Sequence, residues 1–299
     1  MKRIILLLLT VAVALCFPSM LSAQKAYYMG QLQGEGHKQK GHSYQGMDVH
    51  GNYLVSLQDK GVATIYKLSG NSFKKVSQFH LASYDEVNHA NVLTFGCDRY
   101  DRKDPLPLAY VSQCHRKPYN GMKDVLFVER IAPDMKSSSI VQTILYDDEN
   151  KDFGYALQWV IDKPNRLLYG YGNTINNSDP ENRHRIIKFR LPEFEEGSLV
   201  VLKPEDALEN YLIEEVSPFR FNPIGQGLYV YKGKLYMPTG DAKYENPSYL
   251  YVWDLKDKSM KVVDLTRCTA GELEDISRWH GRFIIQGQDG LFLIKSLLP

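Results

Sequence analysis

Gln226-Gly227-Leu228-Tyr229-Val230-Tyr231, then Lys232-Gly233, then Lys234-Leu235-Tyr236-Met237-Pro238-Thr239, and after a polar loop Tyr249-Leu250-Tyr251-Val252-Trp253-Asp254-Leu255, is the stretch that decides the fold. It reads as three short strands, the first two joined by a tight Lys-Gly reversal of the kind that connects antiparallel neighbours. Its aromatic and β-branched content suits a pleated, half-buried surface.

Four other segments lie over it. Gln45 to His50 turns at Gly51-Asn52 into Tyr53 to Leu57, and Gln58 to Gly61 leads to Val62 to Leu68. Gln158 to Lys163 turns at Pro164-Asn165 into Arg166 to Tyr171, with Arg185 to Leu191 as third strand. Glu274 to Trp279 turns at His280-Gly281 into Arg282 to Gln286, followed by Leu291 to Lys295. The loosest copy is His89 to Phe95, Leu108 to Ser112 and Val125 to Glu129, with an insertion from Gly96 to Leu106. Self-similar three-strand units at this spacing are the signature of radially repeated sheets. The expected fold is therefore all-β, a five-bladed β-propeller. Six blades is the alternative, if residues 192–223 form a degenerate unit.

Each unit needs an outer strand. Ser72 to Leu81, Ser139 to Tyr146 and the neighbourhood of Val262 to Leu265 supply three. The last unit ends with three strands, so Lys25 to Leu32 is expected to be its fourth and to close the ring, leaving no long edge open. Ser198 to Val216 is ambiguous, with a short helix over Lys203 to Leu212, starting after Pro204, as one option, because proline and acids favour a helix start.

Lys2-Arg3, the apolar run Ile4 to Cys16 and the small pair Ser22-Ala23 have the layout of a secretory signal peptide over residues 1–23. The run is shorter than the roughly 20 residues a membrane span needs. Lipidation at Cys16 is the alternative. Residues 24–299 are expected to form a single propeller domain, exported to the periplasm or cell surface. The whole chain has 36 Lys and Arg against 35 Asp and Glu, and losing Lys2 and Arg3 leaves no charge excess that would attract nucleic acid or an anionic membrane. Cys97, Cys114 and Cys268 would stay in the mature chain; free thiols are favoured, with a Cys97–Cys114 bridge open only if the insertion folds back.

In a propeller the innermost strands start at one face, and the loops between second and third strands return to that face. Gln45, His89, Gln158, Gln226 and Glu274 start the five inner strands, with Asp48 and Asn91 just behind. The long loops of units two, three and four add Arg116, Tyr119, Arg183 and Tyr244, so that one side of the channel mouth is walled and the other open. The bland role of the amide column is to hydrogen-bond neighbouring backbone and channel water.

Three readings follow from these residues. A small polar or carbohydrate-like ligand would stack on Tyr119 and Tyr244, meet Arg116 and Arg183 through an acidic group, and be oriented by Gln45, Asn91, Gln158 and Gln226. A glycoside hydrolase or lyase would use His89, Asp48 and Glu274, since such chemistry needs two facing carboxylates or an acid–base pair. A protein-interaction disc needs neither. A divalent cation on Asp48, Asn91 and Glu274 is open, although hard cations usually take six or more oxygens.

Leu21-Ser22-Ala23-Gln24, Gln45-Gly46-Met47-Asp48-Val49 and Asn88-His89-Ala90-Asn91-Val92-Leu93-Thr94-Phe95-Gly96 together resemble the secreted β-propeller proteins of Bacteroides-like bacteria. The resemblance implies a periplasmic or surface location in a glycan-rich setting. It carries over no catalytic residue.

Overall fold

The computed structural model describes residues 20–22, 26–36, 39–114, 117–217, 221–222, 225–241, 243, 245–267 and 269–294. Two short strands, β1 (Met20–Ser22) and β2 (Ala26–Gly30), precede five sheets. Blade 1 is β3 (Tyr44–His50), β4 (Tyr53–Gln58), β5 (Val62–Ser69) and β6 (Ser72–His80). Blade 2 is β7 (Val92–Phe95), β8 (Ala109–Ser112), β9 (Leu126–Ile131) and β10 (Ser138–Tyr146). Blade 3 begins with β11 (Tyr155–Asp162), β12 (Leu167–Asn173) and β13 (His184–Arg190), after which come β14 (Leu199–Leu202), β15 (Glu209–Leu212) and the one-turn helix α1 (Ile213–Val216). Blade 4 is β16 (Tyr229–Tyr231), β17 (Lys234–Thr239), β18 (Tyr249–Asp254) and β19 (Ser259–Asp264). Blade 5 is β20 (Leu273–Trp279), β21 (Arg282–Gly287) and β22 (Gly290–Ile294). The molecule is a five-bladed β-propeller, all-β with almost no helix.

Apolar faces of adjacent blades pack into one core per seam. Ile65 and Phe79 of blade 1 meet Phe95 and Phe127 of blade 2. Leu126 and Val128 meet Trp159 and Phe189 across the next seam, and Val160 and Ile186 meet Leu235 and Trp253 across the third. Leu250 and Val252 meet Ile276 and Ile285, while Trp279 and Ile284 meet Met47 and Leu54 to complete the circle. Each such large side chain contributes about 1.5–3 kcal/mol on burial. The alternation along every strand exists to serve both seams of its blade at once.

Closure is by the N-terminal strand. β2 pairs antiparallel with β22, Ala26 opposite Ile294 and Tyr28 opposite Phe292. The Tyr28 hydroxyl also donates to the Asp289 carbonyl at 2.9 Å. β1 lies parallel to β19 on the outside of blade 4.

Among the described residues of the segment 192–223 there is neither a sixth blade nor a helix over Lys203 to Leu212. β14 adds to blade 2, parallel to β10, and β15 becomes the outer strand of blade 3 against β13. Pro204–Asp206 makes only a 3₁₀ turn between them. Each half pairs four residues with a strand already in a blade, which ties it to the sheet in a way that a short helix on the rim, marginal on its own at this length, would not. Cys97 and Cys114 are free thiols; Cys268 lies outside the described residues. No helix among the described residues is long and apolar enough to cross a membrane.

The glycines of the repeated Gln-Gly pair are explained at the seams. A Cβ on Gly46 would sit 2.5 Å from the Leu93 nitrogen and 2.6 Å from the Val92 carbonyl carbon. On Gly227 it would sit 2.2 Å from Asp275 Oδ1 and 2.6 Å from the Glu274 carbonyl oxygen. Backbone cannot give way as a side-chain tip can. Gly46→Ala is therefore expected to cost about 2–3 kcal/mol, a fall of about 5–10 °C in melting temperature, read by circular dichroism. Deletion of residues 25–33 should likewise lower the melting temperature sharply; an unchanged value would contradict closure by β2.

Candidate functional site

The start of the inner strands and the loops after the second strands meet at one face, and a cavity of about 80 Å³ opens there between blades 2, 3 and 4. It has room for roughly five to eight waters. Blade 2 contributes His89, Asn91 and Cys114, blade 3 contributes Tyr155, Gln158, Tyr171, Asn173, Asn177 and His184, and the approach to blade 4 contributes Asn222 and Gln226. Six of these carry side-chain amides. Apart from the two histidines, no charged side chain lines it among the described residues.

Of the sequence-predicted residues, the cavity gathers His89, Asn91, Gln158 and Gln226. The Gln158 amide donates to Asn91 Oδ1, and Gln226 Nε2 donates to Glu272 Oε1 at 2.7 Å. Gln158 Oε1 is buried without a hydrogen-bond partner among the described residues. His89 sets its Nδ1 2.6 Å from Asp59 Oδ1. Asp59 belongs to the short 3₁₀ turn after β4, so neighbouring blades form this pair.

The other predicted residues stand elsewhere, for physical reasons. Asp48 is 1% exposed and its oxygens are taken. Oδ1 accepts from the Val49 amide at 2.7 Å and the Ser277 hydroxyl at 2.5 Å, and Oδ2 accepts from the Phe95 amide at 2.7 Å and Lys163 Nζ at 3.1 Å. It ties blades 5, 1 and 2 together. Glu274 is buried in the blade 5–blade 1 seam, accepting from Gln288 Nε2 at 2.5 Å, and burial followed by repulsion from Glu272 pushes its carboxyl well above the ordinary range. Gln45 sits in the same seam, its backbone carbonyl accepting from Gln286 Nε2 at 2.7 Å, while its own Oε1, like that of Gln158, is buried without a hydrogen-bond partner among the described residues. Tyr119 packs edge-on against Phe127 of β9 at 4.9 Å, at the margin of the blade 1–blade 2 core. Arg183 is spent on the carbonyls of Pro180 and Asn182. Arg116 and Tyr244 lie outside the described residues. Asp48, Asn91 and Glu274 are not gathered as a cation site, and among the described residues no group of three or more His, Cys, Asp or Glu side chains could hold a metal.

Reading the inner strands alone overlooks His184 and Glu214. His184 lies opposite Asn173 in the β12–β13 hairpin, a register that hairpin alignment could have shown. Its Nδ1 is 2.6 Å from Glu214 Oε1, and its ring stacks on Tyr171 at 5.9 Å and lies 4.0 Å from Phe221. Glu214 comes from α1, whose placement no local pattern foretells.

Behind the cavity, Asp124 is 6% exposed with an unpartnered Oδ1. Burial pushes its carboxyl up to about 6, with the Asp148 charge adding and Lys123 and the Leu157 amide opposing. A carboxyl raised in the folded state loses stability as pH climbs from its unfolded value toward the folded one. The protein should therefore lose up to about 3 kcal/mol between pH 4 and 6.5 from this group. Asp124→Asn should flatten that part of the profile and be the more stable form at pH 8. Parallel curves of denaturation midpoint against pH for the two proteins would refute this.

No family model matches the sequence, and no curated protein is similar to it in sequence. Among solved structures the chain is similar to the tail fibre of Staphylococcus aureus phage P68, at 11% identity and a TM-score of 0.51, over 90% of this chain and 51% of that one. It is also similar to a chain of a nidogen/laminin complex, at 9% identity and a TM-score of 0.42, over 88% and 84%. The chain thus spans about half the length of the tail-fibre chain. The likeness to that fibre is one of fold alone.

Proposed function

We propose that the protein is an exported ligand-binding propeller that takes the hydroxyl-bearing edge of one small, uncharged, polyhydroxylated molecule at the channel mouth, the rest of the ligand standing outside the cavity. The observation that carries this reading is the buried Gln158 carbonyl oxygen, which has no protein donor among the described residues and belongs to a cavity lined by amides. An unmet buried acceptor costs about 1–3 kcal/mol; a ligand hydroxyl offsets that cost. Amides supply both donors and acceptors, which matches hydroxyl groups better than it matches a formal charge. The expected arginine clamp on an acidic ligand has no support from Arg183, which is held by its own loop.

In a thermal-shift series on the mature chain, neutral monosaccharides should raise the melting temperature by about 5–10 °C near a hundredfold excess over Kd. Uronic acids should do less, and Gln158→Ala should weaken the response at least tenfold. A response to uronic acids alone would overturn the neutral-ligand reading.

A second reading, acid–base turnover of the bound molecule, draws support from His89–Asp59 and His184–Glu214. In each, a carboxylate holds imidazole Nδ1 at 2.6 Å, the arrangement that orients a histidine to accept and return a proton at Nε2. The export and glycan-rich setting implied by the family resemblance fit either reading. If turnover occurs, Glu214→Gln should cut kcat by a hundredfold or more with little change in ligand-induced stabilisation. Equal losses in binding and rate would make the pair a binding device only.

A further inference from the structure

The opposite face of the disc carries a larger opening. A groove of about 740 Å³ runs between the β11–β12 and β16–β17 turns, with Tyr229, Val230 and Tyr231 contributing apolar surface. Its volume falls within the usual range for small-molecule sites, about 300–1,000 Å³. The channel-mouth cavity is lined at Tyr155 and this groove at Asp162, the two ends of β11. At 3.3 Å per residue they are separated by about 23 Å of strand, so the two openings are distinct.

The charge around the groove is uneven in availability. Asp254 is engaged by Lys234 and by the amides of Lys256 and Asp257, both at 3.0 Å. Asp162 accepts from Asn165 Nδ2 at 2.7 Å, and Lys163 reaches Asp48 at 3.1 Å. Lys232 and Lys256 line the groove, are exposed, and have no ion-pair partner among the described residues. Asp257 is the one lining carboxylate left without such an engagement there. Arg278 covers the Tyr231 ring at 3.7 Å, and the Lys232 ammonium lies 5.5 Å from the same centroid. Partial burial would raise the Tyr231 hydroxyl, yet Arg278 and Lys232 hold it below its ordinary value. The local field at the tyrosine end is positive.

We propose that this groove is a second binding site, for a small ring-bearing anion such as an aromatic carboxylate or sulfonate. Tyr229, Val230 and Tyr231 meet the ring, and the ammonium groups of Lys232 and Lys256 meet the acid. Charge complementarity selects this occupant over a neutral sugar, for which ammonium groups without a carboxylate partner have no particular use.

The test uses the whole mature chain and 8-anilinonaphthalene-1-sulfonate, with N-phenyl-1-naphthylamine as a neutral counterpart. Saturable emission should appear with the sulfonate and be at least tenfold weaker with the neutral compound. Benzoate should displace the sulfonate and benzyl alcohol should not. Lys232→Glu with Lys256→Glu should weaken binding at least tenfold at unchanged melting temperature, since both side chains are exposed. Tyr231→Ala should also weaken it, and Gln158→Ala should have no effect. Equal affinity for the neutral compound, indifference to charge reversal, or loss of binding in Gln158→Ala would each overturn the proposal.

Discussion

Five backbones converging on one axis is the constraint on which everything else in this protein depends. Near the axis the inner strands approach more closely than ordinary side chains permit, which accounts for Gly46 against the Val92–Leu93 peptide and Gly227 against Asp275. The amides exposed by that approach need acceptors. Asp275 Oδ2 accepts from Met47 at 2.7 Å, and its Oδ1 from Leu228 at 3.2 Å and Ile276 at 2.8 Å, joining blades 1, 4 and 5. Asp48 does the same for blades 5, 1 and 2. Both carboxylates are thereby engaged in holding neighbouring blades together.

Where this bonding is dense the channel is closed, and where it thins a cavity appears. The seams around blades 5 and 1 carry both aspartates, the Gln286–Gln45 bond and the Gln288–Glu274 bond. On the side of blades 2, 3 and 4, amides and histidines line a cavity instead. The same asymmetry places the two histidine–carboxylate pairs at one cavity rather than around the whole axis. Each pair takes its members from different elements, the turn after β4 with the lead into β7, and β13 with α1.

The segment after β13 shows how a regular repeat absorbs an irregular insertion. β14 runs parallel beside β10 and leaves Leu199 and Val201 exposed, while β15 completes blade 3. Two neighbouring blades are thus stitched by one connection, and α1 follows in position to deliver Glu214 to His184. The rim thereby shapes the site at the centre.

Alternating apolar residues, Gly-containing reversals and the recurrence of Gln-Gly were enough to determine five blades and the strand that closes the ring, because these depend on neighbours within one hairpin or on a repeat visible along the chain; that residues 192–223 add no sixth blade was decided by the tertiary structure. His89, Asn91, Gln158 and Gln226 were also legible as channel-mouth residues, since each stands at the start of an inner strand or just behind it. Only the tertiary structure decided that Asp48 and Glu274 serve seams, that Tyr119 packs on β9 and Arg183 turns back into its own loop, and that Asp59 and Glu214 join the site. The roles of Asp48, Asp59 and Glu214 depend on contacts between residues 30 or more positions apart, and those of the other residues on shorter-range contacts that occupy a side chain already. A carboxylate committed to backbone amides and one facing a cavity read the same in sequence, because packing alone distinguishes them.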